Sequence, residues 1–406
     1  MSSEPIRLLH FADLHIGMEN YGKLDPQTGV SSRIGDFLAR LDEIVQYAFD
    51  HDADLVLFAG DAFKTRDPDP TQQREFARRI KQLAGRLPVF LLVGNHDIPG
   101  IAARATSIDI FRALEVPNIT VGRTGGSQVV QTKRGPLFLA WMPFPVRNRL
   151  MTQEEFKGAS VDQLDRALEG KVIGLLQGLA EEARSQPMPR VLAGHFSVGG
   201  AKFGSERSVM LGRDLVVPQS ALADPAWDYV ALGHIHKHQR LSAGQPPIVY
   251  PGSLERIDFG EEVDPKGFCW VELAQGATTW RFVPVQARPF RTVEVDVRRA
   301  PEPTAAVLAA IGARDIDDAI VRVQIRLGEG QEAALRQREI EAALGRANLF
   351  VINKETERET RMAGVGATPE ALTPLQWIER YFAAKNKTPE EIERLIRAAE
   401  GLLNGD

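Results

Sequence analysis

Short apolar runs along this chain end repeatedly on a histidine, asparagine or carboxylate beside a glycine, and no other feature limits the fold as strongly. Ile6–Phe11 leads into Asp13-Leu14-His15, the run 55–59 into Gly60-Asp61, and the run 89–93 into Gly94-Asn95-His96-Asp97. A run ending at Ala193 leads into Gly194-His195, and one ending at Leu232 into Gly233-His234-Ile235-His236. Such β-branched and aromatic runs, separated by helical periodicity, are the pattern of a layered α/β fold. In that architecture the loops at the carboxyl ends of strands open on one crevice, so segments far apart in sequence supply a single site. Six of the eight histidines (His15, His96, His195, His234, His236 and, less sharply, His238) follow strands in this way. His10 and His51 lack the context and read as structural or solvated, and His238 as a rim or surface residue.

Around these loops the periodicity predicts helices carrying Phe37, Leu41, Ile44, Val45 and Ala48, then Phe76, Ile80 and Leu83, and a long helix over 161–184. Further strands are expected near Ile119, Val129 and 137–141, one ends at Tyr250, and 268–273 with 278–282 reads as a closing hairpin. Beyond Arg288-Pro289 no histidine occurs. The order there is strand 292–297, helix 303–312, strand 319–327, helix 331–345 and strand 349–352, a small α/β module. The domain reading is therefore 1–287, 288–353, a linker 354–372 containing Gly364 and Gly366, and a helical segment 373–406. Thr373-Pro374 and Thr388-Pro389 each offer an N-cap followed by proline, and Thr388 with Glu391 has capping-box spacing. Leu375, Ile378, Tyr381 and Phe382 form one apolar stripe, and Ile392, Leu395, Ile396, Ala399 and Leu403 another.

Composition constrains the function class. Forty-nine Lys and Arg against 54 Asp and Glu leave a net charge of −5, so the chain is no polycation coating nucleic acid or anionic lipid, and any nucleic-acid surface must be local. The single cysteine, Cys269, excludes an intrachain disulfide and reads as a core thiol. With neither a signal-peptide pattern nor a run of about 18 apolar residues, a cytoplasmic location is expected.

Residues two apart on an extended segment point the same way, so Asp13 with His15, and His234 with His236, each form a chelating pair. Carboxylate, imidazole and carboxamide donors without thiolate suit manganese, iron or zinc rather than a structural Cys-type zinc. Seven candidate ligands (Asp13, His15, Asp61, Asn95, His195, His234 and His236) exceed one tetrahedral ion. Two ions about 3.5–4 Å apart with a bridging carboxylate fit the count and favour phosphoester hydrolysis.

These five segments resemble the motifs of the calcineurin-like metallophosphoesterases. Phe11-Ala12-Asp13-Leu14-His15-Ile16-Gly17, Gly233-His234-Ile235-His236-Lys237 and Tyr250-Pro251-Gly252-Ser253-Leu254-Glu255-Arg256 narrow the likeness to the SbcD-type nucleases within them. The resemblance implies a sandwich of two mixed β-sheets flanked by helices for 1–287, a DNA-binding capping domain at 288–353, and a tail at 373–406 that docks on an SbcC-type ATPase. It puts Asp13, His15 and His236 on one metal, Asn95, His195 and His234 on the other, and Asp61 between them. The ions implied are manganese first, with iron, zinc or magnesium as alternatives, and the nucleophile is water on them. His96 would protonate or stabilise the leaving oxygen, with Asp97 orienting its imidazole. The implied activity is DNA exonuclease and endonuclease cleavage in repair and recombination, by a homodimer within a heterotetramer. No Gly-x-x-x-x-Gly-Lys-Ser/Thr segment occurs, so ATP would act only through the partner. Some relatives carry a histidine three residues beyond the bridging aspartate, where this chain has Lys64.

Lys64, Arg66, Lys202, Arg207 and Lys237, with Arg147, Arg149 and Arg240 nearby, are the candidates for sequence-independent contacts to the DNA backbone. Two other readings compete: a stand-alone phosphoesterase acting on small phosphoesters or phosphoproteins, which explains neither the module nor the tail, and a structural protein with a degenerate site, which the complete ligand set opposes.

Overall fold

The computed structural model describes residues 4–27, 29–99, 105–146, 150, 161–204, 215–356, 382 and 388–404. In chain order the first elements are β1 (Ile6–Phe11), α1 (Ser32–Asp50), β2 (Leu55–Phe58), α2 (Pro70–Ala84), β3 (Val89–Leu92), α3 (Ile110–Ala113), β4 (Ile119–Gly122), β5 (Gly126–Thr132) and β6 (Gly135–Met142). There follow α4 (Val161–Arg184), β7 (Arg190–His195), the short pair β8 (Ser197–Val198) and β9 (Val216–Val217), β10 (Tyr229–Gly233), β11 (Gln239–Arg240), β12 (Ile248–Tyr250), β13 (Gly267–Leu273) and β14 (Thr279–Pro284).

Two six-stranded mixed sheets result, in the orders β14-β13-β1-β2-β3-β4 and β11-β12-β10-β7-β6-β5. Strands β1 to β4 run parallel, with β4 at the sheet edge, while β13 closes on β1 antiparallel with Ile6 opposite Leu273. β2 and β3, in the middle of the first sheet, are apolar on both faces, as strands buried on both sides must be. Leu8, Leu57 and Leu92 face the second sheet and meet Leu139, Val191 and Ala231, whereas Leu9, Val56 and Leu91 face α1 and α2. On the far side Val172, Leu176 and Ala180 of α4 cover Leu192, Val230 and Leu232. The layers are therefore helix, sheet, sheet, helix. Local signals place the helices: the Ser31 side chain caps α1, and Asp69 caps α2 by accepting the Thr71 N–H at 2.7 Å, with Pro70 opening the helix. Cys269 is buried in the layer between the sheets, where burial raises its thiol pKa to about 12.

Residues 290–356 form a smaller three-stranded sheet, β15 (Phe290–Asp296), β16 (Ile320–Leu327) and β17 (Leu349–Thr356), with α5 (Pro303–Gly312) and α6 (Gln337–Ala343) packed on it through Val307, Ile311 and Ile340. The helix expected over 331–345 is broken into a single 3-10 turn, 331–334, and α6. The Thr304 hydroxyl accepts the Arg336 N–H and donates to the Ala334 carbonyl, taking the bonds that a continuous helix would use. β17 runs four residues past its expected end at 352, into the stretch 354–356 read as linker. Its polar exposed residues hide the strand from a hydrophobicity reading. At the junction the Arg288 guanidinium holds both Asp36 oxygens at 2.6 and 2.8 Å. Phe259 packs against Phe290 and Tyr21 beneath the Arg322 guanidinium.

The last helix, α7 (Pro389–Asn404), lies in a second compact unit. Its capping box is formed, with Thr388 and Glu391 exchanging side-chain and backbone bonds at 3.1 and 3.3 Å. The remaining linker and the first expected tail helix fall outside the described residues, apart from Phe382. Among the described residues no helix is long and apolar enough to cross a membrane.

Candidate metal centre

The loops leaving β1 and β2 are zipped by backbone bonds: Asp13 N–H to Gly60 O, Leu14 and His15 N–H to Asp61 O, and Ile16 N–H to Ala62 O, all at 3.0–3.1 Å. Four residues there and after β10 adopt left-handed backbone although none is glycine: Asp13 (φ 52°), His15 (49°), Asp61 (63°) and His234 (97°). Such conformations cost about 1–3 kcal/mol each and persist where the surrounding fold enforces them, usually at functional sites. Glycine at 94 answers a different need. A Cβ there would lie 2.1 Å from Asp61 Oδ1, so only glycine lets these two loops meet.

All seven expected ligands converge. Asp13, His15 and His236 offer ligand atoms within 4.8 Å of one another, with the two Nε2 atoms facing each other at 3.0 Å. The Asn95 carbonyl oxygen stands 3.1 Å from His195 Nε2 and 2.9 Å from His234 Nδ1. Asp61 Oδ2 lies between the groups, 3.7 Å from His15 Nε2 and 3.4 Å from His195 Nε2. The Asp13 carboxylate also accepts the His234 N–H. The far ring nitrogens are held by acceptors. His195 Nδ1 donates to the Ala59 carbonyl at 2.6 Å and His236 Nδ1 to Glu261 at 2.9 Å, which turns each Nε2 inward.

The electrostatics call for cations. Burial works against protonation of His195, yet Asp61 overrides it and the imidazole pKa rises to about 9. Burial, and then His236, pulls His15 well below its usual value. Two carboxylates, four imidazoles and a carboxamide, with two imidazole nitrogens aimed at each other, fit a pair of divalent ions.

His96 stands beside this array, its ring edge-on to His15 with centroids 4.9 Å apart and its N–H bonded to Asp61 Oδ1 at 2.8 Å. Its Nδ1 lies 2.6 Å from the Lys64 carbonyl. Because a carbonyl only accepts, Nδ1 carries hydrogen and Nε2 is the reactive nitrogen. The orienting role expected of Asp97 is corrected here. Its carboxylate accepts the N–H groups of Asp61, Ala62 and Gly94 and the Ser107 hydroxyl, at 2.9–3.1 Å, and so binds two loops together rather than the His96 ring. Neighbouring residues in this turn send their side chains apart.

Two residues with no local sequence signal also belong to the site. Glu261 and Lys266, both fully buried, pair at 2.8 Å behind His236. Burial resists ionisation of Glu261, but Lys266 and His236 hold its carboxyl well below the usual range. Of the basic candidates, Arg66 and Lys202 are exposed and Lys64 half-buried. The Lys237 ammonium is already paired with Asp264 at 3.1 Å, and the Arg240 guanidinium caps the carbonyls of Ala243 and Gly244. Arg147, Arg149 and Arg207 lie outside the described residues. His238 stacks on Phe282 with centroids 4.1 Å apart and bonds the Tyr250 carbonyl, while His51 stacks on Tyr47.

A family model described as calcineurin-like phosphoesterase matches residues 6–238, a span that holds every one of these seven donors. The chain belongs to the calcineurin-like phosphoesterases. This phosphoesterase is similar to the SbcD component of the SbcCD nuclease of Escherichia coli (strain K12), at 29% identity over 268 residues, 63% of this chain and 62% of that relative. It is similar to the SbcD component of the SbcCD nuclease of Rhodobacter capsulatus at 27% over 334 residues, 75% of each chain. The DNA double-strand break repair protein Mre11 of Haloferax volcanii is 27% identical over 328 residues, 80% of this chain and 62% of that protein. The matched stretch thus spans less than two thirds of the E. coli and H. volcanii relatives.

Proposed function

We propose that this phosphoesterase hydrolyses DNA phosphodiesters with two divalent ions, manganese first, as the exonuclease and endonuclease component of an ATP-dependent complex with an SbcC-type ATPase. The observation that carries the reading is one carboxylate, Asp61, standing between two donor groups with His96 alongside. Similarity to components of nucleases supports DNA as the substrate.

Asp13, His15 and His236 would hold one ion, Asn95, His195 and His234 the other, and Asp61 both. When bound, the pair supplies a Lewis-acid clamp on the phosphate oxygens and an activated water. The chain's own groups do the rest. The Lys64 carbonyl holds His96 through Nδ1–H, so Nε2 is the nitrogen through which a proton can be taken up and given back. As the water oxygen bonds to phosphorus and the P–O bond to the leaving group breaks, the imidazolium form of His96 would pass its Nε2 proton to the leaving oxygen and take up the one that the water sheds, yielding a phosphomonoester and a free hydroxyl. Asp97 keeps the loops in register while this happens. Lys64, Arg66 and Lys202 would neutralise backbone phosphates without reading sequence. Residues 288–353 would cap the substrate, 373–406 would dock on the ATPase, and two copies of this chain would form the dimer within a heterotetramer.

The discriminating experiment compares turnover by the manganese-loaded chain on single-stranded DNA, duplex DNA and bis(p-nitrophenyl) phosphate. DNA should be cut with much the higher kcat/KM. Turnover confined to the small ester would overturn the proposal and favour a stand-alone phosphoesterase.

A further inference from the structure

Between β12 and β13 the turn 258–264 carries four acids, Asp258, Glu261, Glu262 and Asp264, and two adjacent ones reach in different directions. Glu261 turns into the metal centre. Its Oε1 accepts His236 Nδ1–H at 2.9 Å, and its Oε2 takes the Lys266 ammonium at 2.8 Å and the Ile257 N–H at 2.9 Å. Lys266 in turn donates to the Ser253 hydroxyl at 2.7 Å and to the carbonyl of His236 itself at 3.3 Å. His236 is therefore gripped at its ring and at its backbone by one buried ion pair.

Glu262 turns toward β15 of the 290–356 module. Its carboxylate accepts both the N–H and the hydroxyl of Thr292, at 3.0 and 2.6 Å. Three residues earlier Phe259 packs against Phe290 at 4.9 Å between ring centroids, and Arg322 of β16 lies 4.4 Å over the same ring. The turn has little freedom to deform between these anchors, because Phe259–Glu261 is a 3-10 turn capped by the Asp258 side chain.

We infer that this turn couples the 290–356 module to the metal centre: Glu261 is a positioning residue for His236, and Glu262 ties that residue's placement to β15. A ligand or partner that shifts the module thereby changes the affinity of one donor group, the one containing His236, and leaves the Asn95-His195-His234 group alone. The inference rests on the reading of His236 as a metal donor.

Manganese titration of the full chain by calorimetry tests it, with the tautomer of His236 read from 15N imidazole shifts before metal is added. The wild type should take up two ions, with His236 protonated on Nδ1. Glu261→Gln should weaken one of the two sites by on the order of 10- to 100-fold and mix the tautomers. Glu262→Ala, which touches neither His236 nor any other donor, should weaken the same site by a smaller factor and spare the second. Unchanged affinities and tautomer in Glu261→Gln would overturn the positioning role. Unchanged affinities in Glu262→Ala would overturn the coupling, and this half-buried position reads out even if Glu261→Gln fails to fold. A wild-type chain that binds no manganese would instead refute the metal reading itself.

Discussion

The carboxylate of Asp97 binds the backbone of Asp61, with Oδ2 accepting its N–H at 3.0 Å while Oδ1 takes the next N–H, of Ala62, at 3.1 Å. The loop that brings Asn95 and His96 is thus fastened to the loop that brings Asp61. Residues 96 and 97 are neighbours in sequence with separate placements, one ring standing beside the seven donors and the other side chain holding the frame.

Substitution separates the two residues. His96→Ala should lower DNA cleavage by about 10²–10⁴-fold while manganese affinity by calorimetry stays at the wild-type value. Equal activity in the variant would remove the proposed proton transfer.

Asp97→Ala should behave differently. It strands three buried N–H groups, each worth about 1–3 kcal/mol, so melting temperature and manganese affinity should fall together. A variant with normal stability and metal binding but no cleavage would return Asp97 to a role in the reaction.

Two glycines make a matched pair. Gly94→Ala places a Cβ against Asp61 Oδ1 and should displace the shared carboxylate, weakening both ions. Gly174→Ala lies on α4 with nothing within 4 Å of the new methyl, and should stabilise the chain by about 0.5–1 kcal/mol without touching metal uptake. Thermal unfolding and calorimetry read the contrast.

His10 supplies a pH dependence away from the metal centre. It is buried between the sheets, bonded to the Tyr229 hydroxyl and the Leu232 carbonyl, and burial lowers its pKa from 6.5 to about 3. Below 6.5 the unfolded chain takes up a proton that the folded chain refuses, so stability falls as pH falls toward 3. The slope is about 1.4 kcal/mol per pH unit. His10→Asn should flatten urea-unfolding free energies across that window by this amount. A slope identical to wild type would show that His10 is not held neutral.

Deleting residues 368–406 should abolish co-purification with an SbcC-type ATPase and leave metal-dependent cleavage in place. Survival of the complex would place the docking surface elsewhere.

The seven candidate donors were readable in the sequence because they stand at or just past the ends of five apolar strands, where composition and position coincide. Glu261 and Lys266 were not. A glutamate among the four acids of 258–264 carries no local mark, and its pairing with His236, 25 residues away in sequence, exists only once β12 and β13 have placed the turn. The misassigned role of Asp97 has the same origin, since adjacency along a chain says nothing of where side chains point in a turn. Thr304 interrupts the expected helix from across the module, an effect invisible to periodicity within 331–345.

The pairing of β1 with β13 has a consequence for synthesis. β1 is made well before residues 267–273, which close one of its edges, and the donors His234 and His236 emerge only shortly before those residues. A nascent chain carrying the first five donors therefore holds an incomplete set of ligands and an open sheet. The full donor set thus comes together only as the last strands of the two-sheet body are made.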